Sequence, residues 1–402
     1  MTYGLIGENL SYSFSKLIHE KLGDYKYELF SFDNAQFENY MANKNFDGLN
    51  ITVPYKKAVM PFCNELSEIA ESIGAVNTVY KKDGKLIGTN TDYDGFMYMM
   101  RRCGISLRDK KVLIIGAGGT SLTVQKCASD EGAREVSVAS RAHDYSADYD
   151  AEIIINTTPV GTFPNIGERI LELDKFEKCE GVLDVIYNPL LTNLLLRAKE
   201  YGIPYSNGLP MLVAQATKAA SLFTGKDYEH RNEEVISWLL SSVRNIVLIG
   251  MPGSGKSTIG RQLAKRLDKE FIDLDDVITT NAGIPIPEIF ANHGESVFRN
   301  METFTVKEYA KQKKLVIATG GGVILRKDNM DALMQNSVIV FIKRELEDLA
   351  TDGRPLSKDI ATLQKMYETR LPLYEKYSDS SIDVTDNVEK NVDAIMKCIN
   401  GG

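Results

Sequence analysis

The run from Gly250 to Thr258, Gly-Met-Pro-Gly-Ser-Gly-Lys-Ser-Thr, constrains this chain more than any other part of its sequence. It matches the phosphate-loop pattern G-x-x-x-x-G-K-[ST], whose glycines let backbone N–H groups surround a polyphosphate. The pattern of apolar residues predicts a buried strand over residues 245–250 and a helix over residues 256–267. The helix N-terminus adds partial positive charge to the loop, and Lys256 adds a full charge.

Two interpretations of this loop differ in what they require on either side of it. A glycine-rich turn without a ligand needs no particular flanks, whereas a phosphate loop needs a strand before it and a helix after it. Both flanks are predicted here, so we expect a nucleoside triphosphate site. Its residues are Gly253, Ser254, Gly255, Lys256, Ser257 and Thr258, with the Ser257 hydroxyl as a Mg²⁺ ligand.

Length and charge bound the rest of the chain. A chain of 402 residues exceeds what one core serves, so two or three domains are expected. The net charge of −8 argues against a nucleic-acid partner, because such binding needs basic surface. No apolar span or basic leader predicts a membrane segment or export, so we expect a soluble cytoplasmic protein. The five cysteines form no C-x-x-C pair, which favours reduced thiols.

The first hundred residues alternate short apolar runs with helix-like segments, which is an α/β pattern. Polar clusters lie at 13–15, 50–56, 74–78 and 88–92, at or between the predicted strands. Each cluster alone is explained by a helix cap, a turn or a solvated side chain. Together they place hydroxyl, amide, ammonium and carboxylate groups at strand ends, where a small polyhydroxylated molecule would be bound.

These clusters resemble the motifs S-x-S, N-x-T-x-P-x-K, G-A-x-N-T and N-T-D of shikimate dehydrogenase, in the family's order, and the resemblance covers the first 240 or so residues. It implies 3-dehydroshikimate and shikimate as substrates. The substrate carboxylate would be held by Ser13 and Ser15, and its hydroxyls by Thr52, Asn77 and Gln215. We expect Gln215 to lie off the apolar face of a helix over residues 211–223 and to point into the cleft.

The same resemblance implies that Lys56 and Asp92 are the catalytic pair. The chemistry agrees, because a ketone that is reduced needs a proton on its developing alkoxide, and an ammonium oriented by a carboxylate can donate it. The family often has Pro after its second serine, where this chain has Lys16. This departure weakens only the predicted start of a helix.

A second glycine turn follows the predicted buried strand 111–115 and opens a helix, as in a dinucleotide-binding βαβ unit. Ser121 stands where the fingerprint has its third glycine, so a turn without a nucleotide stays open as an alternative. The next predicted strand, 135–139, leads to Arg141, which suits the 2′-phosphate of NADP better than an acidic residue would. The family reads Asn-Arg-Thr there, and only the arginine is kept.

The predicted dinucleotide site therefore takes NADP(H). Its residues are Gly116, Ala117, Gly118, Gly119, Thr120 and Arg141. The family resemblance continues through Asp184-Val185-Ile186-Tyr187-Asn188-Pro189 and Asn207-Gly208-Leu209-Pro210. It implies that Tyr187 and Gly208 line the pocket near the nicotinamide.

Four further motifs follow the phosphate loop: D-x-D, F-R-x-x-E, G-G-G and R-P-L. We predict a strand over residues 270–275, in which Asp273 and Asp275 project to the same side. The loop alone admits many small-molecule kinases, but the five motifs together resemble shikimate kinase over residues 245 to about 380. The resemblance implies ATP as the phosphoryl donor.

This second resemblance also implies roles for single residues. Asp275 would contact the hydroxyl that is phosphorylated, and Asp273 would support Mg²⁺ together with Ser257. The ring and its carboxylate would be held by Arg299, Arg370 and the backbone of Gly321 and Gly322. Arg354 would lie on the family's lid and reach the transferring phosphate, where a guanidinium both positions and neutralises.

The lid departs from the family's pattern in one respect. The family commonly has another arginine about seven residues before R-P-L, whereas the segment 345–353 here is acidic and has none. We therefore expect weaker nucleotide binding or a less stable lid. Placing arginine at Ala350 should lower the Michaelis constant for ATP.

The sequence thus predicts an α/β chain of three domains. They are a substrate-binding domain over 1–96 with the helices of 211–240, a Rossmann NADP-binding domain over 97–210, and a P-loop kinase domain with a parallel sheet over 244–402. The expected activities are reduction of 3-dehydroshikimate and phosphorylation of shikimate. The alternative is an NAD-dependent quinate or shikimate dehydrogenase with a non-catalytic, nucleotide-responsive P-loop domain. A homodimer is compatible with the sequence, and no membrane partner is expected.

Overall fold

The chain folds into two compact units, over residues 1–240 and 241–402. The computed structural model describes residues 2–8, 10, 13–23, 25–140, 144–349 and 360–400. The first unit contains a six-stranded and a five-stranded sheet, and the second contains one five-stranded sheet. Helices alternate with these strands along the chain, which confirms the predicted α/β class.

The amino-terminal sheet is mixed, with strand order β2-β1-β3-β5-β6-β4. Its strands are β1 Tyr3–Gly7, β2 Tyr27–Ser31, β3 Gly48–Ile51, β4 Glu65–Leu66, β5 Thr78–Lys82 and β6 Lys85–Thr89. The helices among them are α1 Ser15–Leu22, α2 Asn34–Asn43, α3 Glu68–Ile73 and α4 Thr91–Cys103. Strand β1 pairs in parallel with both β2 and β3, so the loops after these strands meet at one edge.

Local sequence explains where these elements start. Asp33 accepts a hydrogen bond from the Gln36 amide while the Gln36 side chain accepts one from the Asp33 amide, which is a capping box for α2. Phe37 and Met41 of α2 are fully buried and pack with Ile6 and Leu49 of the sheet. The apolar spacing therefore sets which face of α2 covers the strands.

The second sheet is parallel throughout, with strand order β11-β10-β9-β7-β8. Its strands are β7 Lys111–Ile115, β8 Glu135–Ala139, β9 Ile153–Asn156, β10 Gly181–Asp184 and β11 Tyr205–Ser206. The helices of this part are α5 Gly119–Asp130, α6 Asn193–Glu200, α7 Leu209–Thr224 and α8 Asn232–Val243. The chain leaves β7 for β8 on one side and then returns to β9 on the other. This reversal creates a crevice at the carboxyl end of β7, where open α/β sheets bind ligands.

The second unit also has a parallel sheet, with strand order β13-β14-β12-β15-β16. Its strands are β12 Asn245–Ile249, β13 Glu270–Asp273, β14 Leu315–Ala318, β15 Ser337–Lys343 and β16 Ser380–Asp383. Its helices are α9 Lys256–Leu267, α10 Leu274–Ala282, α11 Ile286–Ala310 with a kink at Gly294, α12 Lys327–Met334, α13 Ile360–Tyr377 and α14 Val388–Asn400. All five residues of the central β12 are buried, as expected for a strand covered by helices on both faces.

Three comparisons with the predicted elements matter for function. The predicted strand over 270–275 was too long, because the chain turns into α10 at Leu274. The Asp273 carboxylate accepts a hydrogen bond from the Asp275 amide at 3.1 Å and so caps that helix. Helix α4 runs across the predicted domain boundary between residues 96 and 97. Within the described part of the chain, no helix is both long and apolar enough to cross a bilayer.

Candidate active sites

The first unit contains a cavity of about 280 Å³ beside the carboxyl ends of β3 and of the neighbouring strands. The residues predicted to bind substrate and the predicted catalytic pair all line it: Ser13, Ser15, Thr52, Lys56, Asn77, Asp92, Tyr187 and Gln215. Thr120 and Gly208, which were predicted at the dinucleotide, also line this cavity. The fold therefore gathers side chains that are up to two hundred positions apart in the sequence.

Lys56 and Asp92 form an ion pair in this cavity. Lys56 Nζ lies 2.6 Å from Asp92 Oδ2, and the two side chains are only 11% and 12% exposed. Asp92 belongs to the first turn of α4, and Lys56 lies in the segment after β3. A charge-assisted hydrogen bond at this depth is screened less than a surface pair, so the carboxylate orients the ammonium.

The glycine turn of the second sheet approaches the same lysine. Lys56 Nζ is 3.5 Å from Thr120 Oγ1, and a Cβ added to Gly119 would lie 3.4 Å from Lys56 Cδ. Gly118 is the N-cap of α5 and makes no side-chain capping bond, so the first N–H groups of α5 are available to an anion. A dinucleotide whose phosphates bind at this turn would thus lie next to the Lys56–Asp92 pair.

The rest of the predicted dinucleotide site is only partly described. Gly116, Ala117 and Gly118 form the turn between β7 and α5, as predicted, but they lie beside the cavity rather than in its lining. Arg141 lies outside the described residues, so its predicted role at the 2′-phosphate stays a prediction. Ser121, which replaces the third glycine, is fully buried, and its hydroxyl accepts a hydrogen bond from Gln125.

A chain of uncharged hydrogen bonds holds one wall of the first cavity. The Asn77 carboxamide oxygen accepts from the Thr91 amide at 2.7 Å, and Asn50 Nδ2 donates to Thr78 Oγ1 at 3.0 Å. Tyr27 in turn donates to Asn50 Oδ1 at 2.7 Å. Asn50 was not predicted as a site residue, although it lies two residues before Thr52, which directly follows β3, and both line the cavity. Such a network fixes the amides before a ligand arrives.

At another wall, two serines and a tyrosine meet at the start of α1. Ser13 Oγ lies 3.1 Å from Ser15 Oγ, and Tyr187 lines the same cavity. Burial raises the pKa of the Tyr187 hydroxyl, so it stays a neutral donor at physiological pH. The first turn of α1 contains no acidic residue. Three hydroxyls near a helix N-terminus form a suitable seat for a carboxylate.

The second unit contains a larger cavity of about 710 Å³ above the phosphate loop. Eleven of the predicted kinase residues line it: Gly253, Gly255, Lys256, Ser257, Thr258, Asp273, Asp275, Arg299, Gly321, Gly322 and Arg370. Ser254 is part of the loop, but its side chain is fully buried and does not contribute to the described lining. Arg354 lies outside the described residues, as does Ala350.

The phosphate loop has the backbone that its sequence predicts. Gly255 has a φ of +93°, in the left-handed region that favours glycine, and it directly precedes α9 without a side-chain capping bond. Lys256 is buried, and its Nζ donates to the carbonyl oxygens of Gly250 at 3.0 Å and Met251 at 2.8 Å. Because these acceptors are uncharged, a bound polyphosphate would be a stronger partner for the ammonium.

Three oxygen-bearing side chains lie next to the loop. The Ser257 hydroxyl donates to Asp273 Oδ2 at 2.5 Å, so two oxygens of the type that Mg²⁺ prefers are adjacent. Asp275 Oδ1 is buried and has no hydrogen-bond partner among the described residues. Burial, together with the charge of Asp273, raises the pKa of the Asp275 carboxyl to about 6. Asp275 is thus a stronger base than an ordinary aspartate.

Another wall of this cavity is cationic. Arg299 Nη1 donates to Glu302 Oε2 at 2.9 Å, and the Arg299 side chain is 8% exposed. Arg370 Nη1 donates to the Gly321 carbonyl at 3.1 Å, and Tyr374 donates to the same carbonyl at 2.5 Å. Glu302 and Tyr374 had no predicted role, although Glu302 is the glutamate of the F-R-x-x-E motif. They hold the two arginines at the positions where an acceptor's carboxylate could be bound.

Gly322 shows why a glycine is required at the floor of this wall. A Cβ added to Gly322 would lie 2.3 Å from Arg299 Nη1 and 2.6 Å from Arg299 Cζ. That is an overlap, so any side chain there would displace the guanidinium. The G-G-G motif therefore makes room for the arginine of the F-R-x-x-E motif.

Comparison with known protein families assigns both units. The family model for shikimate kinase matches residues 252–400. The family model for the shikimate dehydrogenase substrate binding domain matches residues 5–79. The two models thus match the two parts of the chain in which the corresponding resemblances were predicted.

The matches to individual relatives extend over nearly the whole length of those relatives. The shikimate dehydrogenase (NADP(+)) of Clostridium perfringens is 34% identical over 261 residues, which are 58% of this chain and 96% of that protein. The shikimate dehydrogenase (NADP(+)) of Caldicellulosiruptor bescii is 36% identical over 254 residues, or 54% of this chain and 88% of that protein.

Solved structures also match more than half of this chain. A shikimate 5-dehydrogenase from Thermus thermophilus, in complex with NADP(H) and shikimate, matches with a TM-score of 0.54 and 29% identity over 59% of this chain and 98% of that chain. A chorismate mutase/shikimate 5-dehydrogenase fusion protein from Clostridium acetobutylicum matches with a TM-score of 0.54 and 33% identity over 59% of this chain and 96% of that chain. The chain therefore belongs to the shikimate dehydrogenase family through its first unit and carries a shikimate kinase domain in its second.

Proposed function

We propose that this chain catalyses two consecutive reactions, the NADPH-dependent reduction of 3-dehydroshikimate to shikimate and the ATP-dependent phosphorylation of shikimate at its 3-hydroxyl. The observation that carries the proposal is the Lys56–Asp92 pair at 2.6 Å in a cavity lined by hydroxyls and amides, in a chain whose other unit matches shikimate kinase. The product of the first reaction is the acceptor of the second, so the two assignments support each other.

In the reduction, the hydride for the carbonyl carbon would come from NADPH when it is bound. Lys56 donates a proton from Nζ to the carbonyl oxygen as negative charge develops there, and Asp92 keeps the ammonium aimed at that oxygen. Ser13, Ser15 and Tyr187 bind the carboxylate of the substrate. Thr52, Asn77 and Gln215 bind its hydroxyl groups, which fixes the ring relative to the ammonium.

The cofactor would be bound by the turn from Gly116 to Thr120 at the N-terminus of α5, with Gly208 lining the shared cavity. Arg141 would bind the 2′-phosphate and so favour NADP over NAD. The names of the relatives print NADP as well. These observations weigh against the alternative of an NAD-dependent quinate dehydrogenase.

In the phosphorylation, Asp275 accepts the proton of the attacking hydroxyl, for which its raised pKa of about 6 is suited. Lys256 and the N–H groups at the start of α9 stabilise the charge on the phosphates, while Arg299 and Arg370 orient the acceptor. Ser257 and Asp273 would hold Mg²⁺, which neutralises phosphate charge when bound. Arg354 would add a further cation. A purely regulatory domain would have no use for this acceptor pocket.

The test is a coupled reaction of the purified full chain with 3-dehydroshikimate, NADPH, ATP and Mg²⁺. Loss of NADPH absorbance and formation of a phosphorylated acid are followed in one sample. We expect both signals, and without ATP only the first. NADPH consumption without a phosphorylated product, when added shikimate also releases no ADP, would exclude the kinase reaction.

Location and assembly are further proposals. We infer a cytoplasmic enzyme whose partners are small molecules, since the net charge of −8 argues against a nucleic-acid partner. Whether the chain forms a homodimer is decided by light scattering on the full chain: a mass near 44.8 kDa means a monomer, and twice that mass a dimer.

A further inference from the structure

Arg344 lies at the rim of the phosphate loop, and no motif accounts for it. It directly follows β15, which pairs with β12, the strand that leads into the loop. Arg344 lines the 710 Å³ cavity, and a Cβ added to Gly255 would lie 3.9 Å from Arg344 Nη1. The guanidinium therefore lies beside the loop residue that precedes Lys256.

Among the described residues, the partners of Arg344 leave part of its hydrogen-bonding capacity unused. Its Nη2 donates to Asp386 Oδ1 at 3.1 Å, but the Asp386 side chain is 99% exposed, so this pair contributes little. Arg344 Nε is buried and has no hydrogen-bond partner among the described residues. The arginine side chain itself is only 22% exposed. A mostly buried guanidinium with an unsatisfied donor and a weak partner is poised to take a stronger anion.

The charge balance of the cavity supports the same conclusion. Asp273, Asp275 and Asp276 line it beside the loop and would repel a polyphosphate. Among its described cations, Arg299 is paired with two glutamates and Arg370 with a carbonyl on the acceptor wall. Of the four described cations in the lining, Lys256 belongs to the loop, and Arg344 Nη1 would lie 3.9 Å from a Cβ added to the loop residue Gly255. The acidic segment 345–353 that follows Arg344 offers no arginine.

We propose that Arg344 binds the phosphate groups of the nucleotide, exchanging Asp386 for a phosphate oxygen and satisfying its free Nε–H. This inference rests on the proposed nucleotide site of the second unit. It also changes the expectation of weaker nucleotide binding. Arg344, at the end of β15, would supply a positive charge in place of the additional arginine that segment 345–353 lacks.

The experiment compares Arg344→Gln, Arg344→Lys and Asp386→Asn in the full chain. Affinities for ATP, and for inorganic tripolyphosphate as a probe without a base, are measured by calorimetry. Losing one charge-assisted contact should weaken both ligands by about 10- to 100-fold in Arg344→Gln. Arg344→Lys should recover part of the loss. Asp386→Asn should bind ATP at least as tightly as the wild type, because it removes only the competing partner.

Arg266→Gln is the matched control. Arg266 also forms ion pairs in this unit, with Glu389 and Asp393, but it lies outside the described lining of the cavity. Equal ATP affinity in Arg344→Gln and the wild type would overturn the proposal. So would a loss confined to ATP and absent for tripolyphosphate, which would mean contact with the base, or weaker binding in Asp386→Asn, which would mean a structural ion pair.

The outcome is separate from the test of the proposed function. The calorimetric comparison needs binding and no turnover, whereas the kinase assignment depends on shikimate-dependent release of ADP. A chain that binds ATP through Arg344 but releases no ADP would refute the kinase activity alone. A chain that turns over normally in Arg344→Gln, with unchanged ATP affinity, would refute the role of Arg344 alone.

Discussion

The two cavities differ in the chemical groups that line them. The first is organised by one ion pair and by neutral hydrogen bonds that run through Asn77, Thr78 and Asn50. The second contains three acidic side chains at the loop and several cations around them. A ring with hydroxyl groups is recognised by fixed dipoles, whereas a triphosphate requires full charges to be offset.

The two lysines show the same contrast. Lys56 is held by a carboxylate, which suits a group that must hold a proton and deliver it at one atom. Lys256 donates hydrogen bonds to two carbonyl oxygens of the loop, which carry no full charge. Under the proposed function, lysine acts as an acid in the first site and as a cation in the second.

The largest effect is expected for Lys256→Ala. Removing the loop's cation should reduce kinase kcat/KM by about 10⁴-fold, because charge on the transferring phosphoryl group is left unneutralised. NADPH-dependent reduction in the same sample should be unchanged. Lys265→Ala, at an exposed position of the same helix α9, serves as the control and should retain kinase activity. A parallel loss of both activities would contradict the division of the chain into two independent sites.

Lys56→Ala should have the reverse effect on the two activities. Loss of the proton donor should lower dehydrogenase kcat by about 10³-fold while kinase activity stays intact. The neighbouring Lys57 is exposed, so Lys57→Ala is the matched control. A variant that lost only affinity for 3-dehydroshikimate, with kcat preserved, would make Lys56 a binding residue and not the acid.

Gly322→Ala tests the cationic wall of the second cavity. The added methyl group would overlap the Arg299 guanidinium, which lies 2.3 Å from that position. We expect the Michaelis constant for shikimate in the kinase reaction to rise about tenfold, through a misplaced arginine. The Michaelis constant for ATP should change little. If the Michaelis constant for ATP rose instead, Arg299 would have to be assigned to nucleotide binding.

The smallest effect is a pH dependence that separates the two reactions. An aspartate can act as a base only when it is ionised, and the pKa of Asp275 is raised to about 6. Kinase kcat/KM should therefore fall about tenfold per pH unit below that value, rather than only below about 4. A profile that stayed flat down to pH 4.5 would remove Asp275 as the base.

Stability supplies an independent readout for the same residue. Folding raises the pKa of Asp275, so the ionised carboxylate lowers stability above pH 6, and this cost disappears as pH falls below the unfolded value. Asp275→Asn should consequently unfold at an equal or higher temperature than the wild type at pH 7.5 while losing kinase activity. A destabilised variant would show a structural role, and differential scanning calorimetry at two pH values distinguishes the outcomes.

Prediction from the sequence succeeded where function depends on short spacing. The phosphate loop, its strand and its helix were placed correctly because apolar periodicity and a glycine pattern act within about twenty residues. It erred at Asp275, where a side-chain cap by Asp273 ended the strand early. Apolar alternation does not report that kind of local competition.

It also missed residues that act through other side chains. Glu302 belongs to a quoted motif, yet its role became clear only when it was found against Arg299. Arg344 belongs to no motif and follows no element that the sequence predicted, and only the structure places it directly after β15. Asn50 could have been found from its two-residue spacing to Thr52.

The sequence by itself determined the chemical groups available to each site and the local turns that present them, because those follow from composition and near-neighbour spacing. Only the tertiary structure decided which groups meet. Lys56 reaches both Asp92 and Thr120, and Arg344 reaches the phosphate loop, because strand order brings distant carboxyl ends to one edge of a sheet. Strand order is set by the packing of whole layers, and no short stretch of sequence encodes it.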